Sequence, residues 1–364
     1  MESGYYISNN RRYILDPNLE NLNLVIDQSN NLTIIKCNGN LKKLCLENRD
    51  LEPFRKIEIE LNENLEYLKL ERISIKSLIL SDKMEELDCS FNQISNLKLN
   101  KNLKKLNCHY SQVRKLELNE NLIELDCSHN EISNLKLNKN LRILNCSINN
   151  LINLELNENL KKLKATRNNL KTIILNEKLE ELDISCNNLI EIEVNENLKK
   201  LDVSGNKLKK IILNEELEEL DISNNNLIEI ELNENLKILN ASSNKLEKII
   251  LNEKLEKSKV SCNNLTEIVL NKNLIQLNTS DNKLEQIILN EKLEELHVSF
   301  NNLTVIELNE NLKDLYALDN KLEKIILNKK LENLYISNSE NKNIKFDNSV
   351  NNSKVHIDYI AIPS

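Results

Sequence analysis

Four of the eight cysteines, and two histidines beside them, are the side chains in this sequence whose types and spacing could do chemistry. Cys89, Cys108, Cys127 and Cys146 stand nineteen residues apart, and His109 and His129 follow close behind. A thiolate next to an imidazole makes a nucleophile, and Cys/His sets hold zinc. Zinc motifs, however, use close pairs such as C-x2-C, and no such pair occurs. Apolar and polar residues alternate here, which turns Cys108 and Cys127 inward on a strand and His109 outward. The thiols therefore read as small core residues. Neither a metal nor a cofactor is expected.

Other candidates lie on the outward positions. Asp183, Asp202 and Asp221 share one place in three successive repeats, a row that suits either a basic partner or a solvated face relieved by Lys200. A second place reads Arg72, Phe91, Tyr110, His129, Ile148, and later Asn224 and Ser243. Small polar residues serve there, so folding does not require the bulk of Phe91, Tyr110, His129 and Ile148. Exposed aromatic groups are favoured interface anchors, which makes this row the first candidate for partner binding. The bland alternative is packing beneath a neighbouring loop, such as LEPFRKI at 51–57. His297, Tyr316 and Tyr335 form an alternative row on the front strands. No G-x-G-x-x-G, Walker loop, H-E-x-x-H or G-x-S-x-G is present, and with four histidines the chain is expected not to be an enzyme.

The elements that position these residues follow from one period. Leu68, Leu87, Leu106 and Leu125 begin a nineteen-residue series that continues through Leu239, Ser258 and Leu277 to Leu334. Only Ser258 breaks it. Leu182 and Ile184 alternate with Glu181, Asp183 and Ser185, as a strand with one buried face requires. Ile192 and Val194 alternate with Glu191 and Glu193 in the second half of the repeat, so the back is expected to be extended, with no room for a helix. Asn recurs at Asn187, Asn206, Asn225 and Asn244, and again at Asn157, Asn176, Asn195 and Asn214. Both rows fall where the chain turns and backbone groups need partners. Paired Lys161-Lys162, Glu180-Glu181, Lys199-Lys200 and Glu218-Glu219 add a two-repeat alternation of charge. It sets opposite charges side by side and penalises a slip by one repeat.

The run LEELDISCNNL and its copies resemble the L-x-x-L-x-L-x-x-N-x-L signature of leucine-rich repeats. At nineteen residues the repeat is similar to the shortest forms, those of bacterial and giant-virus type. The expected fold is a β-rich solenoid of about 17 rungs, with parallel strands in front and extended segments behind. Residues 1–20 and 341–364 are expected to cap a solenoid at 21–340, whose strict register starts near 65. Val355, Ile357 and Tyr359 alternate as a closing strand would.

The resemblance implies a non-catalytic module that binds a protein partner. Two other classes remain. One is a structural protein self-associating through its back, where Ile174, Ile212, Ile250, Ile288 and Ile326 replace charged residues; a monomer is favoured over it. The other is a ubiquitin-ligase-like effector, for which the expected catalytic domain has no residues left. The acidic balance, 57 Asp+Glu against 49 Lys+Arg, argues against nucleic acid. No run approaches the length of a membrane span, and MESGYYISNN lacks a secretory pattern. The expected setting is therefore intracellular and cytoplasmic, in a host cell if the source is a bacterium or a virus.

Overall fold

The computed structural model describes residues 4–26, 32–49, 57–337, 344–347 and 356–360. Two compact units divide the chain, 1–179 and 180–364. Among the described residues neither contains a helix.

In the first unit the front strands begin with Asn21–Ile26, Lys43–Asn48 and Tyr67–Glu71, each parallel to the next. They shorten to three residues at Glu86–Asp88, Lys105–Asn107, Glu124–Asp126, Ile143–Asn145 and Lys162–Lys164. A hairpin, Tyr5–Ser8 with Arg11–Ile14, turns through Asn9 and Asn10, both at positive φ. Paired left-handed residues are what a tight two-residue hairpin demands, and Asn tolerates them. The hairpin runs antiparallel to Leu32–Lys36, so it adds to the back sheet rather than lying across the front strands. The 51–56 part of the expected loop lies outside the described residues.

The second unit repeats the plan from Glu181–Asp183 to Glu295–His297, in register at nineteen-residue steps. Its front strands lengthen to Asp314–Ala317 and Asn333–Ser337, and His356–Ile360 pairs in parallel as the last. In that pairing Leu334 meets Ile357 and Ile336 meets Tyr359, while Val355 lies outside the described residues. The back is regular strand only in places, at Val305–Glu307, Lys324–Ile326 and Lys345–Asp347.

A typical rung buries five apolar side chains, for example Leu198, Leu201, Val203, Leu208 and Ile211. What lets the chain turn around them is asparagine. Asn225 donates its amide to the carbonyls of Val203, Ile222 and Ser223 at 3.0, 3.0 and 3.2 Å, and its Oδ1 accepts the Leu208 N–H at 3.0 Å. The second row works likewise: Asn157 donates to the carbonyls of Asn138 and Leu141. A third row, missed in the sequence, follows two residues later. There Asn159 donates to the carbonyl of Lys139, and where Lys178 takes the place, its ammonium donates to Asn159 Oδ1 at 2.8 Å. Lys254, Lys292 and Lys330 reach Asn235, Asn273 and Asn311 in the same way. The two-repeat alternation is thus a hydrogen-bond pattern as well as one of charge. Its ion pairs, such as Lys200–Glu219 at 2.7 Å and Lys237–Glu218 at 2.8 Å, are half exposed, so water screens them and they add little stability.

Between the front strand and the first Asn row, each rung from Arg72 to Asp319 holds one residue with a left-handed backbone. Phe91, Tyr110, His129 and Ile148 have φ of 53 to 56°, and Cys186, Asn224 and Ser243 are alike; Gly205 is the glycine of the set. The position is therefore constrained by folding after all. Its constraint acts on φ, which residue type reveals only when Gly or Asn stands there.

Two stability measurements follow. Asn225→Ala is expected to lose about 1–3 kcal/mol in urea unfolding, because four backbone groups lose a partner in a buried turn. From sequence, Asn224→Ala should cost under about 0.5 kcal/mol; the left-handed backbone at Asn224 raises this to about 0.5–1 kcal/mol, still the smaller loss. Ser258 is buried between Leu239 and Leu277 in the Leu row, and its hydroxyl has no partner. Ser258→Leu should stabilise the fold by about 1–3 kcal/mol, and a destabilised variant would mean that neighbours already fill the slot.

Candidate functional site

The front strands end where the residue after the central Leu caps the turn. Asp221 Oδ1 accepts the N–H of Ser223 at 2.9 Å and its hydroxyl at 2.6 Å. Asp202 with Ser204 repeats this arrangement, and so does Asp183 with Ser185. Asn240 caps the N–H of Ser242 equally, so a side-chain carbonyl suffices and no charge is needed. The acidic row is thus engaged in the fold. Lys200 does not relieve it, being paired with Glu219. Burial holds the Asp202 carboxyl above its ordinary range, Asp183 and Asp221 add to the effect, and the bonds from Ser204 oppose it.

The cysteine row lies wholly in the core. Cys89, Cys108, Cys127 and Cys146 are 0% exposed, and burial drives their thiols far from ionisation, Cys146 up to about 12. Such thiols are poor nucleophiles. Instead of facing a thiol, His109 bonds to Asn107 Oδ1 at 2.8 Å through Nδ1. Among the described residues no group of three His, Cys, Asp or Glu side chains could hold a metal ion.

At the left-handed positions the side chains form one continuous stack. The Arg72 guanidinium lies 4.6 Å from the Phe91 ring centre, and Phe91 and Tyr110 stack at 5.2 Å with planes 17° apart. Tyr110 and His129 stack at 4.5 Å and 23°, and His109 meets Phe91 edge-on at 4.6 Å. Tyr110 is 52% exposed, whereas Phe91, His129 and Ile148 are partly buried by their neighbours. The backbone beneath is fixed by rung-to-rung bonds from the Phe91, Tyr110, His129 and Ile148 N–H groups to the carbonyls of His109, Ser128, Ser147 and Thr166. A left-handed non-glycine residue costs roughly 1–2 kcal/mol, and for β-branched Ile148 it is a marked outlier. Each aromatic contact returns roughly 0.5–1.5 kcal/mol. Stacking offsets the strain of the rings, while Ile148 has no such offset.

The alternative row also stacks. His297 and Tyr316 lie 4.0 Å apart at 7°, and Tyr316 and Tyr335 4.4 Å apart at 6°. His297 Nε2 meets Glu295 Oε1 at 2.7 Å. These residues occupy the capping position of the front strand. At Tyr316 and Tyr335 the strand runs on, and Ala317 pairs with Ile336, whereas the strands at Lys164, Lys259 and His297 end at this position. Sequence reasoning placed both rows but missed the left-handed backbone under one and the lost caps under the other.

No family profile and no curated sequence matches the chain. Solved structures do. YopM from Yersinia enterocolitica is 28% identical with a TM-score of 0.75, over 84% of this chain and 73% of its own. YopM from Yersinia pestis, described as a leucine-rich effector protein, is 26% identical with a TM-score of 0.63, over 85% and 82%. The functional domain of InlJ from Listeria monocytogenes, described as including a cysteine ladder, is 27% identical with a TM-score of 0.63, over 71% and 70%. These are bacterial proteins, and the giant-virus likeness has no counterpart among them.

The strain account is tested at Ile148. Ile148→Asn is expected to leave stability unchanged or raise it by up to about 1 kcal/mol, despite removing apolar surface. A loss above about 1 kcal/mol in urea unfolding would show that Ile148 stands there for packing.

Proposed function

We propose that this leucine-rich-repeat solenoid is a non-catalytic protein-binding module whose partner seats on the ridge formed by Phe91, Tyr110, His129 and Ile148. The observation that carries the proposal is the placement of bulky side chains at consecutive left-handed positions. Asn224, Ser243 and Gly205 meet the same backbone at less cost or equal cost. With the rings' strain offset by stacking, it is at Ile148 that the sequence spends stability on this row, as functional sites do. Rung pairing at about 4.8 Å sets the four side chains in one line, long enough for a short extended segment or a loop of the partner. Because stacked rings cover one another's faces, the partner meets ring edges and the Tyr110 hydroxyl, and a rigid stack loses little entropy on binding.

The similarity to leucine-rich-repeat proteins, among them a leucine-rich effector protein, supports an interaction role in general. A cytoplasmic setting is part of the same reading. It is supported by eight cysteines without a disulfide, of which Cys186 and Cys262 are exposed. No helix of the described residues is long and apolar enough to cross a membrane. The second reading places the partner on His297, Tyr316 and Tyr335, favoured by their close stacking on the front face.

Affinity capture with the tagged chain, followed by titration of the captured partner, separates the two. Phe91→Ser/Tyr110→Ser should keep its fold by circular dichroism and weaken binding by at least about 2 kcal/mol. Tyr316→Ser/Tyr335→Ser should bind as the parent does. The reverse result would move the site to the front row.

A further inference from the structure

The back of the second unit carries apolar side chains that nothing in that unit covers. Ile250, Val269 and Ile288 are 82, 78 and 81% exposed and stand at the same place in three consecutive rungs. Ile250 and Val269 pair directly, which sets neighbours in the row about 4.8 Å apart. Elsewhere this place alternates with charge: Glu193, Ile212, Glu231, then the apolar three, then Glu307 and Ile326. Ile326 is half-buried, so the open strip is centred on Val269. Three adjacent β-branched residues, each more than three-quarters exposed, are uncommon on a surface facing only water.

The second outward row of the same strands decides what covers them. It reads Lys210, Glu229, Lys248, Glu267, Gln286, Val305, and Lys248, Glu267 and Gln286 are exposed. Among the described residues no ion pair engages Lys210, Glu229, Lys248 or Glu267. We propose that this face binds a second copy of the chain, laid back to back with its rungs in reverse order, about a two-fold axis lying between the rungs of Ile250 and Val269.

The charge pattern selects that axis. A reversed copy centred between the two rungs sets Ile250 against Val269 of the second copy and Lys248 against its Glu267, each contact occurring twice. Glu229 then falls opposite Gln286, and Ile288 opposite the stem of Glu231. No like charges meet. Moving the axis half a rung, onto Val269, sets Glu267 against Glu267, Glu231 against Glu307 and Lys210 against Lys324. Like charges placed opposite one another are destabilising, so the pattern admits one register and opposes its neighbour. Packed layers of this kind cross at an angle, which confines the contact to the central few rungs. That is where the apolar three lie.

Light scattering across a concentration series tests the pairing. The parent should rise from 42.3 kDa toward twice that mass with increasing concentration. Val269→Lys, and independently Ile288→Lys, should remain monomeric over the same range with unchanged circular dichroism. Lys248→Glu and Glu267→Lys should each weaken the dimer at least about tenfold, and the double exchange should restore it. A parent that stays monomeric throughout overturns the proposal. A dimer indifferent to both lysine substitutions removes it from this face. Single reversals that are not rescued by the double exchange overturn the reversed register. None of these readings involves the Phe91–Ile148 ridge, so the outcome is independent of the partner assay.

Discussion

A chain that turns every few residues around a narrow core must satisfy the backbone groups that leave the strands, since a buried carbonyl or N–H without a partner costs about 1–3 kcal/mol. Here the side-chain amide of asparagine does this, in three rows. One amide answers up to four backbone groups, as at Asn225, and bridges its own rung to the preceding ones. A leucine at Leu220 or Leu239 contributes apolar burial, but any large aliphatic residue does that much. In the first row the amide contributes geometry, because its donor and its acceptor both meet the backbone of the preceding rung. The nineteen-residue interval is the length at which all these bonds close together, and it explains why 66 of 364 residues are asparagine.

How much of this was legible depended on whether residue type reports the physical constraint. Burial is written in type: the Leu series, the inward cysteines and the extended back could be read directly. Backbone conformation is not. The left-handed position holds Arg72, Phe91, Ile148, Cys186 and Asp281 as well as Gly205, so its composition looks unconstrained while its φ hardly varies. The capping role of the acidic row was hidden for a related reason. Asp183 and Asp202 look like surface charge, yet each serves as a hydrogen-bond acceptor for the serine two residues on, a role that Asn240 fills without charge. The sign that could have revealed it was the interchange of Asp with Asn at one place, followed two residues on by Ser in every case but Asn107, where His109 stands.

Folding and the proposed recognition use different atoms of the same rung. Strand, cap and asparagine bonds involve backbone and short polar groups, and they leave the left-handed side chain and the outward back residues free to differ. Phe91, Tyr110 and His129 exploit the first freedom, Ile250, Val269 and Ile288 the second. Each substitution there alters a surface without moving the backbone that holds it, because the rung-to-rung bonds are made by other atoms.

The pairing of Lys254 with Asn235, and of Lys292 with Asn273, also limits how such an array can change its length. Excising the rung that carries Asn273 would bring Lys292 beside Lys254, removing an acceptor and adding a repulsion. Excising that rung together with its neighbour restores an asparagine before every lysine. The smallest neutral insertion or deletion in this region is therefore two rungs. The chain is periodic at one interval as a fold and at twice that interval as an object that can be lengthened, shortened or recombined.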